Sequence, residues 1–212
     1  MKIRKILKNF YRNFISFLAG LETYQSPYSK TIGNPEEIVD PLIHKTALKI
    51  AALSSLSSAL PYKYGGILPE LFAIYSLQGR MIKDIAYLYG KENTLDKEVL
   101  IYCLFKHNNL KIIHKIVEDM GERLIVRALD LTIIEKILNK QGILISKKII
   151  RNSMARIFPV LAIGIVGSLA YKSTKKVGKT AKDIFSREII LENEIKNSQT
   201  QSIGLEQDGS AI

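Results

Sequence analysis

The chain has 212 residues, of which 47% are hydrophobic and 24% are charged. This composition fits a single globular domain and excludes wholesale disorder. The single cysteine, Cys103, excludes a disulfide framework within the chain and favours a reducing compartment. The formal net charge of +11 favours an anionic partner, either a lipid surface or a nucleic acid.

The first predicted element is a basic amphipathic helix over residues 1–20. Its apolar side chains recur every three or four residues, no acid precedes Glu22, and its apolar run is too short for a signal peptide. A basic face opposite a phenylalanine-rich face is typical of a helix lying in a membrane interface. A helix packed on the domain, with its lysines in solvent, is the alternative. The candidate membrane-contacting residues are Lys2, Arg4, Lys5, Lys8, Arg12, Phe10, Phe14 and Phe17.

Residues 21–40 are predicted to be a linker, because they contain several Pro, Gly, Ser and Asn residues, which favour turns and loops. Asp40 and Pro41 then fit the N-cap and the first residue of a helix. A second helix opens at Pro69 and ends at Gly90.

Periodic apolar residues predict further helices, and no segment alternates as a strand would. We therefore expect an all-α fold with one multi-helix domain over residues 41–187 and a polar, mostly disordered tail over 188–212. The later helices are predicted over residues 95–107, 113–120, 124–138, 143–157 and 174–185.

Two apolar segments, residues 48–62 and 157–171, raise the question of a membrane span. A helix over 157–171 would be about 22 Å long, which is less than the ~30 Å hydrocarbon core. A buried pair of helices is therefore favoured over shallow insertion into the bilayer.

The helix over residues 69–90 carries two misplaced polar side chains. On a helical wheel, Gln78 falls inside the apolar arc and Asp84 falls on its border. A buried amide must be hydrogen-bonded, so Gln78 is predicted to tie this helix to a neighbour; a polar group facing a cleft is the alternative. For Asp84 the predicted partner is a basic residue, Arg156 or Lys175. Gln78, Asp84 and Arg156 are the buried-polar candidates.

Several short motifs resemble those of the EcsC family of bacterial proteins. They are Pro69, Gln78, the run 84–90, the run 156–161, Gly164, Gly167 and the run 176–185. The resemblance covers residues ~45–187, with Ala162 where the family usually has glycine. It implies a helical domain, a cytoplasmic or membrane-associated setting and, for the namesake, an accessory role beside an ABC transporter. It implies no catalytic residues.

Familiar catalytic motifs are not matched. Residues 177–180 resemble the end of a phosphate-binding loop, but Ser173 stands where its first glycine is needed. The histidines lack partners at metal-ligand spacing, no nucleophile elbow occurs, and Cys103 lies in an apolar run that favours a buried thiol. We therefore predict no metal and no cofactor.

The favoured function is a non-enzymatic, peripheral membrane-associated accessory or scaffold protein at the cytoplasmic face of the plasma membrane. Residues 1–18 would bind anionic lipid. The alternative is a soluble module whose basic surface binds a nucleic acid or a protein partner, although the scattered arginines favour nucleic acid less. An enzyme of unrecognised chemistry around Gln78, Asp84 and Arg156 is a third, weaker alternative.

Overall fold

The computed structural model describes residues 12–14, 16–59, 67–108, 111–130, 132–140 and 159–192. Helix accounts for 71% of them, so the mostly helical fold predicted from periodicity is confirmed. The α-helices are α1 (residues 12–14 and 16–22), α2 (Glu36–Ala59), α3 (Ile67–Leu88), α4 (Lys97–Phe105), α5 (132–140) and α6 (Pro159–Phe185). Short 3-10 helices cover Glu92–Thr94, Lys106–Asn108 and Ile113–Lys115.

A three-stranded sheet accompanies these helices, so the prediction of a fold without strands is wrong. The sheet contains β1 (Val117–Asp119), β2 (Arg123–Val126) and β3 (Glu188–Leu191), in that order. The β1–β2 pair is antiparallel and the β2–β3 pair is parallel. The first two strands lie where helices over 113–120 and 124–138 were predicted, and β3 occupies the start of the predicted tail.

A tight turn and a buried face account for this sheet. Gly121, with φ of +81°, turns the chain between β1 and β2, and Asp119 Oδ1 accepts from its N–H at 3.0 Å. Leu124, Val126 and Ile189 are buried. Because one face of the strands completes the core, pairing is favoured over further helix.

The helix predicted to begin at Asp40 and Pro41 begins one turn earlier. Asn34 Oδ1 accepts from the backbone N–H of Glu36 at 3.1 Å, and Pro35 follows Asn34. The sequence thus contains the N-cap and proline signature twice, and the earlier copy starts α2. Pro41 lies inside α2, so the predicted linker is shorter than residues 21–40.

Helices α2 and α6 contain most of the two apolar segments and pack antiparallel, but Leu48, Leu56, Ile165 and Leu169 are more than half exposed, so the segments are not the buried pair that was predicted. At one end, Lys182 Nζ lies 3.0 Å from Asp40 Oδ1. At the other end, a Cβ on Gly167 would lie 2.2 Å from Ser55 Oγ. A Cβ on Gly178 would lie 2.6 Å from Ile43, so glycine permits the close approach of the two helices.

Helix α1 packs into the core, which corrects the prediction of a phenylalanine face turned to a membrane. Phe14 is 0% exposed and Phe17 is 7% exposed. The Phe14 ring lies 5.8 Å from the Phe105 ring and 6.3 Å from the Tyr75 ring. The apolar face of α1 is therefore covered by α3 and α4, whereas Arg12 is exposed.

Several predictions fall outside the described residues. They concern Lys2, Arg4, Lys5, Lys8, Phe10, Arg156, the helix over 143–157 and the tail from residue 193 onward. Within the ranges that the structure covers, no helix is both long and apolar enough to cross a membrane.

Candidate functional site

Gln78 is buried and hydrogen-bonded, as predicted. Its side chain is 3% exposed, and its Nε2 donates to Thr174 Oγ1 at 3.1 Å. The Thr174 hydroxyl in turn donates to the carbonyl of Ala170 at 2.9 Å. This chain of hydrogen bonds ties α3 to α6, which makes Gln78 a structural residue.

Asp84 is also buried, but its partners differ from those predicted. Ser26 Oγ donates to Asp84 Oδ1 at 2.7 Å, and Tyr24 Oη donates to the same oxygen at 3.1 Å. The Arg80 guanidinium lies 5.2 Å from the centroid of the Tyr24 ring. Lys175 instead lies over the ring of Tyr171. Asp84 therefore fastens the segment after α1 to α3.

Burial dominates the electrostatics of this contact. Desolvation raises the pKa of Asp84, while the hydrogen bonds from Ser26 and Tyr24 and the charge of Arg80 oppose the rise. Desolvation also raises the pKa of Tyr24 to about 12, and the nearby Asp84 charge adds to the shift. Both side chains are thus polar groups held inside the fold.

The raised pKa of Asp84 gives a pH-dependent prediction. A carboxyl group whose pKa is raised by folding stabilises the protein most below its ordinary pKa, and this stabilisation is lost as the pH rises through the folded value. We expect the free energy of unfolding of Asp84→Asn, minus that of the unmodified chain, to increase from pH 4 to pH 7. Urea titrations at several pH values measure it, and a difference that shrinks with pH would contradict the assignment.

A serine and a histidine also meet in the structure, a contact that sequence reasoning missed. Ser173 Oγ lies 3.0 Å from His107 Nε2. Such a pair can form part of a nucleophilic site. However, Ser173 lies in the middle of α6, where backbone N–H groups bond within the helix and are not directed at a reacting oxyanion. The contact is best interpreted as packing between α6 and the end of α4.

Cys103, Lys83 and Glu98 are also engaged in the fold. Cys103 is fully buried, as predicted, and desolvation raises its pKa. Within those ranges, no cluster of three His, Cys, Asp or Glu residues could hold a metal ion. A cleft of about 540 Å³ lies between α1, α3 and α4. On its wall, Lys83 donates to the carbonyl of Leu21 at 3.0 Å, and Glu98 accepts from the Leu129 N–H at 3.2 Å.

The outer sides of α2 and α6 form a different kind of surface. The sequence contains no Asp or Glu between Asp40 and Glu70, or between Glu135 and Asp183. Most of α2 and nearly all of α6 lie in these two acid-free stretches. Exposed lysines occur on both helices, at positions 45, 49, 172, 176 and 179. The local field is therefore strongly positive, and the acid-free stretches were the sequence signal that could have revealed it.

Large apolar side chains are exposed among these lysines. Leu48 is 51% exposed, Leu56 69%, Ile165 61% and Leu169 53%. Helices α2 and α6 pack side by side, and these exposed side chains come from both of them. We call this surface the α2–α6 face; it comprises Lys45, Leu48, Lys49, Leu56, Ile165, Leu169, Lys172, Lys175, Lys176 and Lys179. A surface with both cations and apolar groups can contact both parts of a lipid monolayer.

A polar contact crosses the seam between the two helices. His44 Nδ1 lies 2.8 Å from Tyr171 Oη, with the rings edge-on at 5.9 Å. The ammonium group of Lys175 lies 5.6 Å from the centroid of the Tyr171 ring. The seam thus carries three polar side chains from two helices.

Comparison with known proteins assigns neither a family nor a function to the chain. No family model matches the chain, and no curated protein or solved structure matches it significantly. The resemblance to the EcsC family therefore stays a prediction.

Proposed function

We propose that this protein is a peripheral membrane-associated helical protein of the EcsC type, acting as an accessory or scaffold protein, and that it binds anionic lipid through the α2–α6 face. The observation that carries the proposal is the combination of exposed lysines and exposed aliphatic side chains on two packed helices, in two stretches of the sequence that contain no Asp or Glu. The cytoplasmic face of the plasma membrane, whose lipids are anionic, is the proposed location.

The expected binding free energies favour the α2–α6 face over α1 as the membrane contact. Each lysine near an anionic surface contributes about 1 kcal/mol. An aliphatic side chain that moves from water into the acyl region contributes about 1.5–3 kcal/mol when fully buried. By contrast, Phe14 and Phe17 already lie in the protein core, and exposing them to reach a bilayer would remove that packing.

The apolar side chains also discriminate between lipid and nucleic acid. Lysines would bind a phosphate backbone equally well, but Leu56 and Ile165 contribute nothing to such an electrostatic contact. Stacking on bases requires exposed aromatic rings, whereas these exposed positions are aliphatic. The mixed character of the α2–α6 face therefore supports lipid as the ligand.

Vesicle flotation tests the proposal with two pairs of substitutions. We expect Lys45→Gln with Lys49→Gln to weaken binding to vesicles containing phosphatidylglycerol by about 2 kcal/mol, or roughly 30-fold. The pair Leu56→Ser and Ile165→Ser should weaken it by about tenfold through the lost apolar contact. Added salt should weaken binding by the unmodified chain.

The matched control is Lys111→Gln with Lys115→Gln, because both lysines are exposed and lie outside the α2–α6 face. It removes the same charge and should change binding far less. Equal losses in the two lysine pairs would overturn the assignment of the surface. The nucleic-acid alternative would be favoured if the protein bound duplex DNA but not vesicles, and if Leu56→Ser with Ile165→Ser left the DNA binding unchanged.

A further inference from the structure

The geometry at the seam of α2 and α6 points to a specific ligand: His44, Tyr171 and Lys175 form a binding site for the terminal phosphate of a phosphomonoester lipid headgroup. This inference rests on the proposed function, because it names the lipid that the α2–α6 face would select. It adds His44 and Tyr171, which the general argument from charge does not use, to Lys175 of the α2–α6 face.

The first support is the hydrogen bond between His44 and Tyr171. If the phenol donates to Nδ1, the imidazole carries its proton on Nε2; if Nδ1 donates, the phenolic O–H is left to donate elsewhere. In either arrangement the pair keeps one N–H or O–H that can donate to an anion. His44 is exposed and Tyr171 is half-buried, so the pair can be reached from solvent.

The second support is the charge around this pair. Lys175 Nζ lies over the Tyr171 ring, and Lys45 and Lys172 are the exposed chain neighbours of His44 and Tyr171. Together these ammonium groups make the seam attractive to an anion.

The nearby acids reduce this field but do not cancel it, because Lys182 neutralises part of their charge. Asp40 precedes His44 by one helical turn, and both of its oxygens accept from Lys182 Nζ, at 3.0 and 3.1 Å. Glu36 Oε1 lies 3.3 Å from the same nitrogen. Two carboxylates share one ammonium group, so this cluster keeps one net negative charge, against the three positive charges of Lys45, Lys172 and Lys175.

The chemistry of the donors selects a phosphomonoester. A terminal phosphate offers three oxygens and up to two negative charges, so it can accept from the imidazole–phenol pair and from Lys175 together. A phosphodiester headgroup has two such oxygens, which could accept from the same groups, but it carries only one negative charge, so the cations around the seam attract it less. Leu48 follows His44 by one turn and is 51% exposed, which places an aliphatic side chain beside the site, as a lipid ligand requires.

The test compares vesicles that contain phosphatidic acid with vesicles that contain phosphatidylglycerol at matched surface charge. The full chain should bind phosphatidic acid at least about tenfold more tightly, the effect of one charge-assisted hydrogen bond. His44→Ala combined with Tyr171→Phe removes both possible donors of the pair, so this double variant should abolish the preference and leave phosphatidylglycerol binding unchanged. Lys175→Gln should reduce the preference, whereas Lys176→Gln should weaken both vesicle types equally.

The possible outcomes distinguish a failure of the headgroup site from a failure of the proposed membrane binding. Binding to phosphatidylglycerol without a preference for phosphatidic acid, or a preference that survives His44→Ala with Tyr171→Phe, overturns the headgroup site alone. No binding to either vesicle overturns the proposed function. Displacement of the protein from vesicles by millimolar glycerol 3-phosphate would identify a free phosphomonoester as the ligand and overturn the lipid assignment. A thermal melt of the double variant, His44→Ala with Tyr171→Phe, like that of the unmodified chain confirms that it is folded.

Discussion

Phe14→Ala should lower the free energy of unfolding by about 3–5 kcal/mol, the usual cost of removing a buried aromatic ring. The ring is fully buried and lies 5.3 Å from Phe17 and 5.8 Å from Phe105, so its removal leaves a cavity between α1 and α4. Urea denaturation measures the change. At a temperature where the variant remains folded, its vesicle binding should match that of the unmodified chain.

Leu56→Ala is the complementary control, because Leu56 is exposed on the α2–α6 face. It should change stability by less than about 0.5 kcal/mol and should weaken vesicle binding. If Phe14→Ala instead left stability unchanged and abolished vesicle binding, α1 would be the membrane contact.

The second large effect is expected at Gly178, where α6 meets α2. A Cβ at this position would lie 2.6 and 2.7 Å from two side-chain carbons of Ile43, which is closer than van der Waals contact allows. Gly178→Leu should therefore lower the free energy of unfolding by about 3 kcal/mol, at the upper end of the usual cost of overpacking. The measurement is again the midpoint and slope of a urea transition.

Gly164 provides a matched control on the same helix. It is exposed and a Cβ there would meet nothing within 4 Å. Gly164→Leu should stabilise the chain by up to about 1 kcal/mol, because leucine is the better helix former. If the two variants have equal stability, α2 and α6 do not approach each other as closely as the structure shows.

Most helices of this fold could be predicted from local sequence, and the sheet could not. The 3.6-residue period over α3 extends for six turns, and Pro69 and Gly90 each lie two residues from an end of the helix. In contrast, β1 and β2 contain three and four residues, too few to establish an alternating pattern. The parallel partner of β2, β3, follows 62 residues after Val126, and no local pattern can reveal such a pairing.

The site was predicted less well, for related reasons. Wheel analysis placed Gln78 and Asp84 in the interior because position on one helix fixes which side is buried. It could not identify Ser26 as a partner of Asp84, since the two are 58 residues apart. An amphipathic helix also has the same sequence whether its apolar face meets a bilayer or a core, and for this reason the role of Phe14 was mistaken.

The pairing of α2 with α6 also has a consequence for biosynthesis. Residues 60–158 separate the two helices, so α2 leaves the ribosome long before the surface that covers it. At about 5–20 residues per second, the intervening chain takes roughly 5–20 s to synthesise. During that interval Ile43 and Ala47, which are buried in the folded chain, have no α6 to pack against.

The chain between α2 and α6 must also close into a long loop before the two helices can pack, so the entropic cost of closure comes before the stabilising contacts form. We therefore expect refolding from urea to be slower than for a bundle whose neighbouring helices follow one another directly in the chain. Nascent chains that are released before α6 is synthesised should be targets for chaperones and proteases.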